Sequence, residues 1–122
     1  MTTETLAKRL VLLCNSGQSE AAVTELYAPD IVSIEARGTP EMPARIQGIE
    51  AIAQKGQWWF ANNEVHSMTA EGPYIGNRAD QFVVKFNMDL TPKGGTRMQM
   101  SEVGIYTVRG DKIVEESFLY SA

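Results

Sequence analysis

An alternation of side-chain polarity over residues 82–90 constrains the fold of this chain more than any other feature. One face of the segment carries Phe82, Val84, Phe86, Met88 and Leu90, and the other carries Val83, Lys85, Asn87 and Asp89. A period of two predicts an antiparallel strand with one buried face and one face in water. Because the buried face must be covered, the chain needs a second layer of structure.

Helical patterns in the first half of the chain supply that layer. Leucines at helical spacing predict a first helix that is capped by Thr2 or Thr3 and ends near Gly17. A second helix is predicted between Ser19 and Pro29, and a third helix just after Gly48.

Strand patterns fill the rest of the chain, at residues 31–36, 64–70, 98–106 and 113–120, with turns at 92–95 and 109–112. Three helices that lead into hairpin-linked strands predict an α+β fold, with the helices on one side of a curved sheet.

Composition narrows the class of protein. The chain has 122 residues, of which 43% are hydrophobic, and a net charge of −4, which predicts one domain over 1–122 and argues against nucleic-acid binding. A single cysteine, Cys14, excludes a disulfide framework within the chain and favours a cytoplasmic location. No apolar run approaches the roughly 18 residues of a membrane span.

With one histidine, no cysteine pair and no phosphate-binding loop, we expect neither a metal nor another cofactor.

The order of short motifs along the chain resembles one family. "YAPD" at 27–30, "GIEAI" at 48–52 and "VRGDKIVEE" at 108–116 follow one another as in the SnoaL-like and ketosteroid isomerase-like branch of the nuclear transport factor 2-like superfamily. The resemblance implies a cone-shaped barrel, in which three helices close a deep apolar cavity formed by a mainly antiparallel sheet. It also implies a homodimer paired sheet to sheet. Its members include isomerases, cyclases, dehydratases, epoxide hydrolases and binding modules, so the fold does not determine the chemistry.

Glu35 is the first candidate catalytic residue. In the isomerases of this family the general base follows a "YADD"-like segment by a few residues. The "YAPD" segment here matches it, and the same spacing leads to Glu35, just before Gly38. A carboxylate at the mouth of a cavity can move a proton between two carbons of an enolisable substrate. The alternative is a solvated glutamate at the end of a strand.

Glu102 is the second candidate because it shares strand parity with Met100 and Tyr106 and should point into the apolar interior. Burial raises the pKa of a carboxyl group, and a neutral acid can donate a hydrogen bond to a developing enolate. A protonated aspartate has this role in ketosteroid isomerase, although the matching position here lies nearer Gly104. The alternative is a core carboxylate that neighbouring side chains satisfy.

Two further side chains are candidates for a polar cluster. Glu116 shares strand parity with Val114, Phe118 and Tyr120, so it is predicted to face inward, although Glu115 on the opposite face leaves the orientation open. His66 shares a strand face with Met68 and Ala70 and could exchange a proton with a ligand or pair with an inward glutamate. The alternative for His66 is a structural or surface imidazole.

Aromatic and methionine side chains are the expected lining of a pocket for a flat apolar ligand. The alternative is simple core packing, which is the more common reason for aromatic residues at helical or strand spacing. The predicted ligand-binding residues are Tyr27, Trp59, Phe82, Phe86, Met100, Tyr106 and Tyr120, and Trp58, Phe60 and Tyr74 are further candidates.

Two functions remain open at this stage. The first is a cofactor-free pocket protein for a small, mainly apolar ligand with a carbonyl group, which could catalyse isomerisation, cyclisation or dehydration by proton transfer. The second is a ligand-binding or dimerisation module without catalysis. Leu10, near the position where the isomerases have an oxyanion-binding tyrosine, favours the second. Apolar residues on the outer face of the sheet, Val83, Val103 and Ile105, predict a homodimer in either case.

Overall fold

The computed structural model describes residues 1–120, which form three helices and one six-stranded sheet. The elements are α1 (Thr3–Asn15), α2 (Ser19–Leu26), β1 (Tyr27–Ile34), β2 (Arg45–Gln47), α3 (Ile49–Asn62), β3 (Asn63–Ile75), β4 (Gln81–Pro92), β5 (Met98–Arg109) and β6 (Lys112–Tyr120). The predicted α+β fold, with three helices on a mainly antiparallel sheet, is confirmed.

The strands follow the order β2-β1-β6-β5-β4-β3 across the sheet. Only β1 and β6 run parallel, and the other neighbours are antiparallel. The alternating segment at residues 82–90 lies in β4, where every second residue from Phe82 to Leu90 is buried. None of the helices between residues 1 and 120 is long and apolar enough to cross a membrane.

Helix α1 packs a leucine stripe onto the inner face of the sheet. The Thr2 hydroxyl accepts a hydrogen bond from the Thr5 amide at 3.1 Å, which caps the helix. Leu6, Leu10 and Leu13 are buried on one helical face. At the end of the helix, the Asn15 amide group bonds to both backbone groups of Ala70, and it thereby ties α1 to β3.

The region between α2 and α3 differs most from the prediction. Strand β1 begins at Tyr27 rather than at Ile31, because α2 ends at Leu26 and the chain extends at once. Pro29 lies where the pairing of β1 with β6 is irregular, between Tyr27 and Val32. Strand β2 follows between β1 and α3, where no strand was predicted.

Register shifts alter which side chains face inward, and two of them affect the predicted faces of His66 and of β6. In β3, Val65 pairs with Leu90 and Ser67 with Asp89, so His66 is an extra residue in a bulge. In β6, Val108 pairs with Ile113 and Thr107 with Glu115, so Val114 is the extra residue. The predicted inward face of β6 is therefore wrong at Val114, since Ile113 is buried in its place. It is right at Glu116, which is buried.

Candidate functional site

A cavity of about 440 Å³ lies between the helices and the inner face of the sheet. Side chains from all three helices and from β1, β3, β4, β5 and β6 line it. The lining is mostly apolar, and four ionisable groups that face it, Glu35, Lys55, Glu102 and Glu116, are the polar centre of the site.

Most of the predicted ligand-binding residues line this cavity. They are Tyr27, Trp59, Phe86, Met100, Tyr106 and Tyr120, together with Trp58 and Phe60. Phe82 does not line it: its ring is buried and stacks on the Tyr106 ring, with 4.9 Å between the centroids and 9° between the planes. Tyr74 is 54% exposed and does not line it either. Phe82 therefore supports the wall of the cavity instead of contributing to it.

Glu116 is the most deeply buried acid of the site. Tyr27, from the start of β1, donates a hydrogen bond of 2.5 Å from its hydroxyl to Oε2 of Glu116. Burial raises the pKa of Glu116, while the bonds from Tyr27 and Ser33 and the charge of Lys55 oppose that rise. Burial also holds the pKa of Tyr27 well above its ordinary value, so Tyr27 remains a proton donor.

Glu35 and Lys55 form an ion pair at the polar centre. Nζ of Lys55 lies 2.5 Å from Oε1 of Glu35, and it donates a second hydrogen bond of 2.8 Å to Oγ of Ser33. The ammonium also lies 5.1 Å from the centroid of the Phe118 ring. Both side chains of the pair are mostly shielded from water, with 16% and 22% exposed. The predicted base thus faces the cavity with a cation beside it.

Glu102 faces the cavity from β5, as its strand parity predicted. Between residues 1 and 120 its carboxyl group has no hydrogen-bond partner. Burial raises its pKa to about 7, and the negative charge of Glu35 adds to the rise, whereas Lys55 opposes it. Glu102 therefore carries a carboxyl group that is free to bond to a ligand and that gains or loses its proton near pH 7.

Position 104 has no room for the acid that the family's isomerases carry near it. A Cβ atom on Gly104 would lie 2.8 Å from the Tyr106 ring and 3.1 Å from the Phe118 ring. The two rings themselves meet edge to face, 6.2 Å apart. Leu10, the other residue that departs from the isomerase pattern, is buried and lines the cavity. Of the two β5 positions 102 and 104, position 102 is therefore the one with an acidic side chain that faces the cavity.

The structure does not bring His66 into the polar centre. The bulge in β3 turns it out to solvent, where its Nε2 atom lies 2.8 Å from the Thr91 hydroxyl. The expectation that His66 shares an inward face with Met68 and Ala70 is wrong for this reason. Cys14 lines the cavity, but burial raises the pKa of its thiol to about 11, so the thiol stays protonated.

Lys55 is the site residue that the sequence analysis missed. It lies three residues after Ile52 and four before Trp59, and these two residues mark the apolar face of α3. A lysine within such a stripe signals a charge that faces the interior. Among residues 1–120, no group of three or more His, Cys, Asp or Glu side chains is arranged to hold a metal ion.

Comparison with known proteins identifies the family. The family model of the SnoaL-like domain matches residues 1–120. The chain belongs to the SnoaL-like family. A protein of Mesorhizobium loti, named a candidate SnoaL-like polyketide cyclase (carbohydrate phosphatase), is 45% identical. The alignment covers 98% of this SnoaL-like chain and 100% of that protein, with a TM-score of 0.91. A search of curated proteins gives no match.

More distant structures share the fold alone. A Mycobacterium tuberculosis protein in complex with estradiol-17beta-hemisuccinate is 18% identical, over 99% of this chain and 95% of that one, with a TM-score of 0.74. A computationally designed 17-OHP binder is 17% identical over the same shares, with a TM-score of 0.72. These two proteins, one in complex with a small molecule and one designed to bind 17-OHP, share the fold of this chain.

Proposed function

We propose that this protein binds a small, mainly apolar carbonyl compound in its cavity and catalyses proton transfer on it without a cofactor. The observation that carries the proposal is the carboxyl group of Glu102, which faces an apolar cavity without a hydrogen-bond partner among residues 1–120. Because a neutral acid donates a hydrogen bond, its natural partner there is a ligand carbonyl oxygen. A Mycobacterium tuberculosis protein that shares this fold at 18% identity is in complex with estradiol-17beta-hemisuccinate, which supports a small-molecule ligand for the cavity.

In this proposal Glu35 is the base and Glu102 the hydrogen-bond donor. The Glu35 carboxylate removes a proton from the carbon next to the carbonyl group, and the negative charge moves to the carbonyl oxygen. Glu102 donates a hydrogen bond to that oxygen, and Glu35 returns the proton to the same or another carbon. The Lys55 ammonium lies beside Glu35, so it stays near the negative charge before and after the transfer.

Glu116 is a positioning residue in the same proposal. It is bonded to Tyr27 and pairs in register with Ser33, which in turn accepts a hydrogen bond from Lys55. This chain of contacts fixes the ammonium and therefore the carboxylate that it holds. Glu116→Gln, which replaces the carboxyl group by an amide, should reduce turnover because the Glu35–Lys55 pair is less well oriented, and it should largely retain ligand affinity.

Deuterium exchange provides the test. A panel of polycyclic enones and β,γ-unsaturated ketones is screened by thermal shift, and each compound that binds is incubated with the protein in D₂O. We expect the wild type to exchange the protons next to the carbonyl group, as seen by proton NMR. Glu35→Gln should abolish the exchange. Glu102→Leu should abolish it and weaken binding by about 1–3 kcal/mol. Glu71→Gln, an exposed carboxylate on β3, is the matched control.

A binding module without catalysis is the second candidate. It is favoured by the ion pair that already engages Glu35, and by the aliphatic and glycine residues at the two oxyanion positions of the isomerases, Leu10 and Gly104. This alternative predicts that compounds bind and that none undergoes exchange. Glu35→Gln would then leave every measured property of the bound compound unchanged. If nothing in the panel binds, both candidate functions are wrong.

A further inference from the structure

The two strands that flank β5 each set an aromatic side chain beside Glu102. In the register of the sheet, Glu102 pairs with Phe86 on β4 and with Tyr120 on β6. Side chains that are directly opposite in a sheet have Cβ atoms about 4.5–5.5 Å apart. All three side chains line the cavity. Glu102 therefore has an aromatic residue opposite it on each neighbouring strand, at the inner face of the sheet.

The lysine and the other two acids of the polar centre already have partners. Lys55 holds Glu35 and donates to Ser33, so the two charges of the ion pair largely cancel. Glu116 accepts its bond from Tyr27. On the loop after β1, Arg37 is exposed at the rim of the cavity. Ionised Glu102 would thus be a negative charge that forms no direct ion pair with a cation among residues 1–120.

We propose that the cavity also binds apolar organic cations, with a quaternary or tertiary ammonium group held by Glu102 between the rings of Phe86 and Tyr120. A quaternary ammonium group needs no hydrogen-bond acceptor, and it is attracted both by ring faces and by a carboxylate. Its apolar substituents suit the rest of the lining. This second class of ligand uses the same cavity, but it does not depend on the proton transfer proposed above.

The two classes of ligand require opposite protonation states of Glu102. The pKa of its carboxyl group is about 7, raised by burial and by Glu35 and Glu116 and lowered by Lys55. Tyr106 and Tyr120 also face the cavity, and because burial raises their pKa values they remain neutral near pH 7. A carbonyl ligand therefore binds best below pH 7, where Glu102 is a donor. An ammonium ligand binds best above pH 7 and expels the proton of Glu102 when it binds.

Benzyltrimethylammonium is a suitable probe because its charge does not change with pH. Its neutral isostere neopentylbenzene, in which carbon replaces nitrogen, is the control for shape. Between pH 5.5 and pH 8.5 the ionised fraction of a group with a pKa near 7 rises about thirtyfold. We expect the affinity for the cation, measured by NMR titration, to rise by up to about that factor, while the affinity for the isostere stays constant. Calorimetry at pH 7 in two buffers of different ionisation enthalpy should detect about half a proton released per cation bound.

Two variants separate this proposal from the proposed function. Glu102→Gln keeps the shape of the side chain, and it should remove the pH dependence and the preference for the cation over the isostere. Glu71→Gln, which removes one exposed charge on β3, should leave both unchanged. The proposal is overturned if the cation does not bind at pH 8.5, if its affinity is independent of pH, or if Glu102→Gln binds it equally well. Loss of deuterium exchange on carbonyl compounds would overturn only the proposed function.

Discussion

The carboxyl group of Glu102 couples the stability of the protein to pH. Its pKa is about 7 in the folded chain and near the ordinary value of 4.5 when unfolded, so the folded state holds a proton that the unfolded state releases. Between these two values the free energy of unfolding falls as pH rises, by up to about 3 kcal/mol in total, and above pH 7 this contribution is constant.

Replacement of Glu102 by glutamine should remove the decrease in the free energy of unfolding between pH 4.5 and pH 7, because glutamine does not ionise. We expect Glu102→Gln to unfold at about the same urea concentration as the wild type at pH 4.5, and at a higher concentration at pH 8. Urea titrations at the two pH values measure the difference, and the ¹³C chemical shift of the Glu102 carboxyl group gives its pKa directly. A carboxyl pKa at or below 4.5 would contradict the inward assignment.

The hydrogen bond between Tyr27 and Glu116 joins two side chains that are both shielded from water. Tyr27→Phe removes the donor and leaves the acid buried with one bond fewer, so we expect a loss of about 1–3 kcal/mol in the free energy of unfolding. Tyr74→Phe is the matched control, since Tyr74 is exposed on β3, and it should cost little. Equal losses in the two variants, measured by urea unfolding, would mean that the bond contributes nothing to stability.

At the scale of elements, two glycines should respond in opposite ways to the same substitution. Gly104→Ala in β5 would set a methyl group 2.8 Å from the Tyr106 ring, which is itself stacked on Phe82. We expect a loss of about 1–3 kcal/mol in the free energy of unfolding. Gly56→Ala in α3 meets no atom within 4 Å, so it should gain roughly 0.5–1 kcal/mol from helix propensity. Urea unfolding of both variants tests whether Gly104→Ala lowers the free energy of unfolding and Gly56→Ala raises it.

At the scale of the whole molecule, the outer face of the sheet carries an apolar patch. Val83 pairs with Tyr74 on one side and with Ile105 on the other, and Val103 pairs with Leu119, whose side chain is 54% exposed. Polar residues on the same face, such as Lys85 and Ser101, rim the patch. A two-fold axis through such a patch would pair it with itself, so the prediction of a homodimer through the sheet is retained.

Light scattering coupled to gel filtration tests this prediction. We expect the mass of a dimer at micromolar concentration for the wild type, and that of a folded monomer for Leu119→Glu. Leu12→Glu is the matched control, because Leu12 is equally exposed but lies on α1, away from the sheet. A wild type that elutes only as a monomer would contradict the prediction, and so would dissociation by Leu12→Glu.

The sequence by itself determined the three helices, most of the strands and the inward orientation of Glu102. In a strand with one buried face, apolar and polar residues alternate along the chain. The strand β4 and the orientation of Glu102 on β5 could therefore be predicted from the residues next to them in the sequence. The leucine stripe of α1 and the glycine that precedes α3 are equally local signals. The family resemblance extended these signals to the cavity and to Glu35, which the structure sets at the polar centre.

Only the tertiary structure decided which of these groups meet. Tyr27 and Glu116 are 89 residues apart in the chain, and Lys55 meets Glu35 across two different elements. His66 left the predicted face because the bulge in β3 depends on its register with β4, and the short strand β2 forms by pairing with β1. Such contacts depend on pairing between segments that are distant in the sequence. The periodicity of one strand or helix indicates only which of its own residues are buried, and therefore it cannot predict which distant residues they contact.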